Sequence, residues 1–354
     1  MVIQLHTWPE NKVIDTLLDL VRIPSPTGYT DSIIQYLEAR LQAAGDRIRL
    51  RRNHKGGLLV TLRGEQRAPQ RLLTAHVDTL GGMVKEIKSN GRLRLTRIGG
   101  YTWNSIEGVY CTVHTRNGDE IKGTVLPTHT SVHVYDDAGK QERNQENMEI
   151  RLDLPLTDAV GVRAHGIEIG DFISFDPRVE RLPSGYIKGR HMDDKASAAI
   201  LLELILQQVA RGDPIPCDTH VIFSTYEEVG FGANSNIPTG VKEFLAVDMG
   251  AIGKGQNTDE HCVSICVKDA SGPYHYGFRN RLADLAEKEG LYYKLDIYPR
   301  YQSDASAAVR AGYDLIHGLV GPGVDASHAF ERTHRDALEN TYRLLQHYIH
   351  SPLL

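Results

Sequence analysis

Apolar positions along this chain recur at two periods, and the switches between them divide it into elements. Val13, Ile14, Leu17, Leu18 and Val21 fall at helical spacing, and that helix must stop before Pro24 and Pro26. Ser25-Pro26-Thr27-Gly28 reads as a turn, after which Ile33, Ile34, Leu37 and Leu41 form a second helical stripe. Strand-like runs follow at 57–62 and 71–77. From about Met83 to Leu182 the texture changes: short runs at 92–96, 108–114 and 149–154 alternate with Gly, Asn and Asp turns, with no long helical pattern between them. That stretch predicts a compact β module, residues 84–181, inserted into an α/β domain formed by residues 1–83 and 182–354. Beyond Tyr186 the α/β pattern resumes, with a strong helix over 196–211 and strands at 220–225, 244–247 and 315–320. A helix near 279–290 precedes the last of those strands, and a final helix runs from Asp336 to about Ile349.

Composition narrows the function classes. A chain of 354 residues with 41% hydrophobic content can bury a substantial core, enough for roughly two domains. A net charge of -5 argues against nucleic acid or an anionic membrane as partner, because phosphate binding needs a basic footprint. No apolar run approaches the ~18 residues of a membrane span, and residues 1–10 lack a secretory pattern. Four cysteines in so long a chain make no disulfide framework, which points to a cytoplasmic protein.

The candidate chemistry collects at element boundaries. Glu227-Glu228 follows the strand-like run 221–226 and precedes Val229-Gly230. In α/β proteins ligands gather outside the carboxyl ends of the strands. Adjacent residues there point in different directions, so one glutamate can hold a metal while the other handles a proton. His76-Val77-Asp78 also ends a strand, His191-Met192-Asp193-Asp194 opens a helix, Asp248 ends a strand, and His328 follows Gly321-Pro322-Gly323. His, Asp, Glu, Asp and His form the ligand list of a two-metal hydrolase, suited to zinc, cobalt or manganese. The absence of cysteine favours a catalytic over a closed structural site. Taken singly, His76 reads as a strand histidine. Asp78 reads as a turn cap or as a partner orienting His76, and Asp193 or Asp194 as a helix N-cap. His328 and His334 are not separable on this ground.

Taken in order, His-X-Asp, Asp-Asp-Lys, Glu-Glu-Val-Gly, a strand-end Asp and a late His resemble the M42 family of metallo-aminopeptidases over nearly the whole chain. The resemblance implies a three-layer αβα catalytic domain with a mixed central sheet and an inserted small β-barrel-like domain for dimerisation and substrate access. It implies two divalent metal ions per subunit, zinc or cobalt before manganese. Asp193 would bridge them, with His76 and Asp248 on one and Glu228 and His328 on the other. Glu227 would be the general base and Asp78 would support His76. Short peptides would be the substrates, cleaved at the N-terminal residue, and the subunits would form dimers or twelve-subunit tetrahedral shells. A related deacylase or a dedicated dipeptide hydrolase is the rival enzyme reading, and an inactive metal-stabilised scaffold the non-enzyme one. The chain departs from the family pattern at Thr79-Leu80, Lys195-Ala196, His191 and Ala329-Phe330-Glu331, all beside the expected metals. His191 is expected to make a supporting or solvent contact. Cys262 and Cys266 have no partner pair for a zinc knuckle, and Asp304-Ala305-Ser306 resembles a segment near the substrate pocket or simply opens a helix. His129 and His133 alternate like exposed strand residues, and Arg279 and Arg281 are expected on a solvated helix face.

Overall fold

Each of the two helical stripes near the start becomes a helix with one buried face: α1 (Glu10–Arg22) buries Val13, Ile14, Leu17, Leu20 and Val21, and α2 (Asp31–Gln42) buries Ile33, Ile34, Leu37 and Leu41. The computed structural model describes residues 7–354; the first six, part of the stretch read for a leader, lie outside them. Strands β1 (Ile48–Arg52), β2 (Leu58–Leu62) and β3 (Gln66–His76) follow.

The chain then leaves the sheet to build a closed barrel from β4 (Gly81–Ile87), β5 (Leu93–Ile98), β6 (Tyr110–His114), β7 (Glu120–Pro127) and β8 (Met148–Leu152). After a short α3 (Ala159–Ala164), β9 (Phe172–Phe175) completes it. Val84, Leu93, Leu95, Val113, Val125, Ile150 and Ile173 fill the barrel with a core of its own. Residues 128–147 differ from expectation: they form turns between β7 and β8, not strand. His133 there is exposed, while half-buried His129 stacks on Tyr135 at 4.3 Å and bonds Asp137 at 2.9 Å.

The return begins with β10 (Glu180–Arg181) and β11 (Tyr186–Gly189), then α4 (Met192–Arg211), β12 (Cys217–Ser224), β13 (Val241–Val247), β14 (Gly250–Ala251) and β15 (Val263–Asp269). It continues through β16 (Gly272–Pro273), α5 (Tyr276–Lys288), β17 (Tyr293–Ile297), α6 (Asp304–Arg310), β18 (Ile316–Val324), β19 (Glu331–His334) and α7 (Arg335–His350). The main sheet has the order β1-β2-β12-β3-β13-β18-β15-β16 and is mixed: β12, β3, β13 and β18 are parallel neighbours, flanked by antiparallel pairs.

Alternation sorts each central strand onto two layers. Leu73, Val221, Phe223, Leu245 and Val247 face the layer that contains α1, α2, α4, α5 and α7. Leu72, Ile222, Phe244 and Ala246 face the other, with Ala305 and Ala308 of α6. The molecule is therefore an αβα sandwich carrying a barrel, and the parallel strands all end on one side, at His76, Ser224, Val247 and Val324. No helix among the described residues is long and apolar enough to cross a membrane. The expected solvated arginine face is also corrected. Arg281 pairs with buried Glu243 at 3.7 Å and donates to Ser351 Oγ at 2.9 Å, and Arg279 lies over the Tyr276 ring.

Candidate metal centre

Four strand or loop ends and the start of α4 converge at the carboxyl edge of the parallel strands. His76, Asp193 and Asp248 offer donor atoms all within 4.8 Å of one another, and so do Asp193, Glu228 and His328. Asp193 belongs to both groups. Its Oδ1 lies 3.1 Å from His76 Nε2 and its Oδ2 3.1 Å from His328 Nε2. Glu228 Oε2 approaches His328 Nε2 at 3.4 Å, and Glu227 Oε2 lies 3.7 Å from His76 Nε2.

Both imidazoles are aimed by their other nitrogen. His76 Nδ1 donates to the Asp78 carbonyl at 2.9 Å, with the Asp78 carboxylate 3.5 Å away, so main chain and side chain of Asp78 both face that nitrogen. The carboxylate has a second use. It accepts from the amides of Glu227 and Glu228 at 3.2 and 3.3 Å and from Thr27 Oγ1 at 2.7 Å, which locks the two-glutamate turn against the end of β3. His328 Nδ1 donates to the Gly100 carbonyl at 2.7 Å, a contact supplied by the loop after β5. At neighbouring Gly99 (φ +80°) an added Cβ would meet Leu80 Cδ2 at 2.4 Å and Glu228 Oε2 at 3.5 Å, so only glycine fits that close approach.

The start of α4 carries no N-cap of the expected kind. His191 precedes it at φ 70°, without a side-chain cap bond, and Asp193 and Asp194, joined by a cis peptide, depart from helical dihedrals. Asp194 Oδ2 instead accepts from the His76 amide at 3.2 Å. His191 does not join the cluster; its Nε2 donates to Phe175 O at 3.3 Å, and burial pushes its pKa down to about 3, so the ring is neutral. His334 lies elsewhere, beside His261 and Asp336. Cys262 and Cys266 are free and buried, and Asp304 opens α6, buried at the cleft wall, where its Oδ2 accepts from Ser224 Oγ at 2.5 Å.

The charge balance is lopsided. Six carboxylates (Asp78, Asp193, Asp194, Glu227, Glu228, Asp248) stand around two imidazoles, of which His76 is buried and His328 is 34% exposed. Burial raises Glu228 to about 8 and, with Asp193 nearby, Asp248 to about 7. Burial, then Asp248, Asp304 and Glu228, hold Glu227 well above the usual carboxylate range against the pull of His76. Against its own burial, His328 is lifted to about 11 by Glu228 and Asp193. Glu228 Oε1 and Asp194 Oδ1 are buried with no hydrogen-bond partner. Unpaired acceptors of this kind are costly unless positive charge meets them. Nitrogen and oxygen donors in two overlapping sets of three therefore fit a pair of borderline divalent cations. The cluster opens into a cleft of about 860 Å³ that is also lined by Lys254, Arg300, Tyr301 and Arg310.

Sequence reasoning gave no role to Ser327, and it placed Asp194 only as a helix cap and Glu331 only as a departure from the family pattern. Ser327 Oγ donates to Asp193 Oδ2 at 2.9 Å, and Glu331 accepts backbone amides at both edges of the cluster. Their neighbourhood to Asp193 and His328 was visible; their bonding to main chain leaves no pattern in sequence.

Comparison with known proteins places the chain among peptidases. The family model "M42 glutamyl aminopeptidase" matches residues 56–344. The chain is 57% identical over 343 residues to a Bacillus subtilis (strain 168) protein named "Putative aminopeptidase YhfE", covering 97% of this chain and 99% of that one. It is 26% identical to glutamyl aminopeptidase of Lactococcus lactis subsp. cremoris (strain MG1363) over 62% of this chain and 61% of that one. In fold it is similar to a TET aminopeptidase from the archaeon Thaumarchaeota archaeon SCGC AB-539-E09, with TM-score 0.86, 18% identity and 96% of each chain covered. It is likewise similar to Pyrococcus horikoshii TET1 peptidase, with TM-score 0.84, 21% identity, and 96% and 100% covered.

Proposed function

This chain belongs to the M42 family of peptidases, and from that membership we propose that it is a dinuclear metal-dependent aminopeptidase that removes the N-terminal residue from short peptides. The observation that carries the reading is the sharing of Asp193 by two three-residue donor groups. His76, Asp193 and Asp248 would hold one divalent cation, and Asp193, Glu228 and His328 the other. Zinc or cobalt suits that donor set best, with manganese also compatible. When bound, such a pair supplies Lewis acidity, polarising a carbonyl and making water a better nucleophile near neutral pH.

The protein's own groups do the remaining work. Glu227 stands beside the cluster without belonging to either donor group, its Oε2 3.7 Å from His76 Nε2, a place from which a carboxylate could take a proton from water and return it to the leaving amine. Asp78 holds Glu227 and Glu228 through their amides, so base and ligand keep a fixed separation. The cleft beyond Asp248 gives the peptide's leading residue a place to lie, with Tyr301 and Arg300 on its wall.

Oligomeric assembly is part of this proposal. Pyrococcus horikoshii TET1 peptidase is described as assembling into a tetrahedron or a large octahedral shell. The present barrel exposes Val132, Val134 and Tyr110, at 75%, 71% and 63%, which is apolar surface suited to burial against other subunits.

Replacing Glu227 with Gln tests the chemical assignment. Metal content should remain at two ions per subunit while turnover on an aminoacyl-anilide falls by roughly 10²–10⁴-fold. Near-normal turnover in that variant would remove Glu227 from its role.

A further inference from the structure

One buried carboxylate outside both donor groups reaches the backbone on two sides of the cluster. Glu331, 2% exposed, is the first residue of β19. Its Oε2 accepts from the amides of Met192 at 2.6 Å and Asp193 at 3.2 Å, and its Oε1 accepts from the amide of His328 at 3.2 Å. It therefore joins the start of α4 to the loop after β18, two segments more than 130 positions apart that bring Asp193 and His328 together.

Both segments have backbone that local propensity does not favour. His191 sits at φ 70°, Ala326 at φ 55° and His328 at φ 65°, left-handed values that non-glycine residues hold only where surroundings impose them. Glu331 itself is held by strand pairing, with Gly189 as its partner across β11. Its side chain is thus an anchor on a fixed strand reaching into two strained loops.

We infer that Glu331 is a positioning residue that sets the spacing between Asp193 and His328, and so the geometry of the half-site completed by Glu228. This rests on the two-ion reading above. A carboxylate is the side chain the position needs, because three N–H donors require acceptors and only an acid offers two oxygens with no hydrogen of its own. An amide must turn its NH₂ toward one of the loops. The two donors at Met192 and Asp193 would keep the remaining oxygen, leaving the NH₂ opposed to the His328 amide.

The test is Glu331→Gln, with Glu331→Asp as a shorter variant that still only accepts. Zinc is titrated calorimetrically into the full-length protein after metal removal, and bound zinc per subunit is counted at buffered free zinc. Melting of the metal-free proteins is measured alongside. In Glu331→Gln the metal-free melting temperature should stay close to wild type. The weaker of two zinc affinities should drop roughly 10–100-fold while the tighter moves little. kcat should fall with KM almost unchanged, and Glu331→Asp should recover part of the lost affinity. Two zinc ions bound with wild-type affinity by Glu331→Gln overturn the inference, as does a drop in melting temperature without any change in zinc affinity. Should Glu331→Gln not fold, the zinc affinities of Glu331→Asp decide in the same way. A wild-type protein that binds fewer than two ions would instead bring down the two-ion reading, and the role of Glu331 with it.

Discussion

Among the described residues, histidines and carboxylates gather at metal-binding distances in two places, and these differ in one respect that matters. Around Asp193, six carboxylates face two rings in a buried setting, and two carboxylate oxygens have no partner. Around Asp336, two rings share one carboxylate. Both His261 Nδ1 and His334 Nδ1 lie 3.1 Å from Asp336 Oδ2, His334 Nε2 donates to Ser184 O at 3.0 Å, and Tyr186 packs against both rings. His261 and Asp336 are each more than two-fifths exposed. Proximity of donors is common to both clusters. Negative charge left unbalanced and out of water belongs to the first alone, and that is what calls for cations. The second is a partly exposed cluster at the start of α7, where His334 Nδ1 accepts from the Asp336 amide as a helix cap.

The sharpest way to break this contrast is to neutralise the central carboxylate of each. Asp193→Asn should reduce bound metal below two ions per subunit and take peptidase turnover to background, whereas Asp336→Asn should leave both intact. Elemental analysis and an anilide assay on the two variants decide it, and equal losses would erase the distinction. Next in size is metal removal. A chelator should abolish turnover and lower the melting temperature, since ions present at ~1,000 times their Kd add about 4 kcal/mol of stability. The double variant His261→Ala/His334→Ala should show the same melting difference between loaded and stripped forms; losing that difference would make the outer cluster the metal site.

A smaller effect is expected at Asp78, which supports the inner cluster without belonging to a donor group. Asp78→Asn puts an NH₂ against one of the Glu227 and Glu228 amides, so kcat should fall roughly 10–100-fold. Bound metal staying at two ions would place the damage in the base's position. Unchanged kcat would show that those two amide bonds are dispensable. Smallest of all, His334→Ala should cost about 1 kcal/mol in stability, as loss of a helix cap does, with turnover unaffected. Thermal melts against activity would detect the reverse.

Much of the fold is legible because packing follows period. Ile33, Ile34, Leu37 and Leu41 lie on the buried side of α2 as their spacing requires, and the central strands alternate between two cores. The reading failed where alternation had no packing partner. His129 and His133 alternate like strand residues, yet both lie in turns with no neighbouring strand; His133 is exposed as expected, and His129 is half-buried against Tyr135. Arg281 was misplaced for the opposite reason, since its partner Glu243 comes from a distant strand. The residues that gather in the inner cluster were legible because His76, Glu227, Glu228 and Asp248 end or follow strands that turn out to be adjacent. The work of Asp194 and Glu331, and the grip of Asp78 on the Glu227 and Glu228 amides, was hidden, because a carboxylate receiving main-chain amides can serve any sequence.

The acceptor for His328 Nδ1 is a carbonyl of the barrel's own loop, and the glycine before it clears Leu80 only by lacking a side chain. The barrel is accordingly no detachable ornament. Splicing residue 83 to residue 182 would remove the group that sets the tautomer of a histidine 228 positions away. Gly99 and Gly100, unlike the barrel's outer turns, touch the cluster directly. Pressure on the barrel from a neighbouring subunit would be transmitted along that same bond.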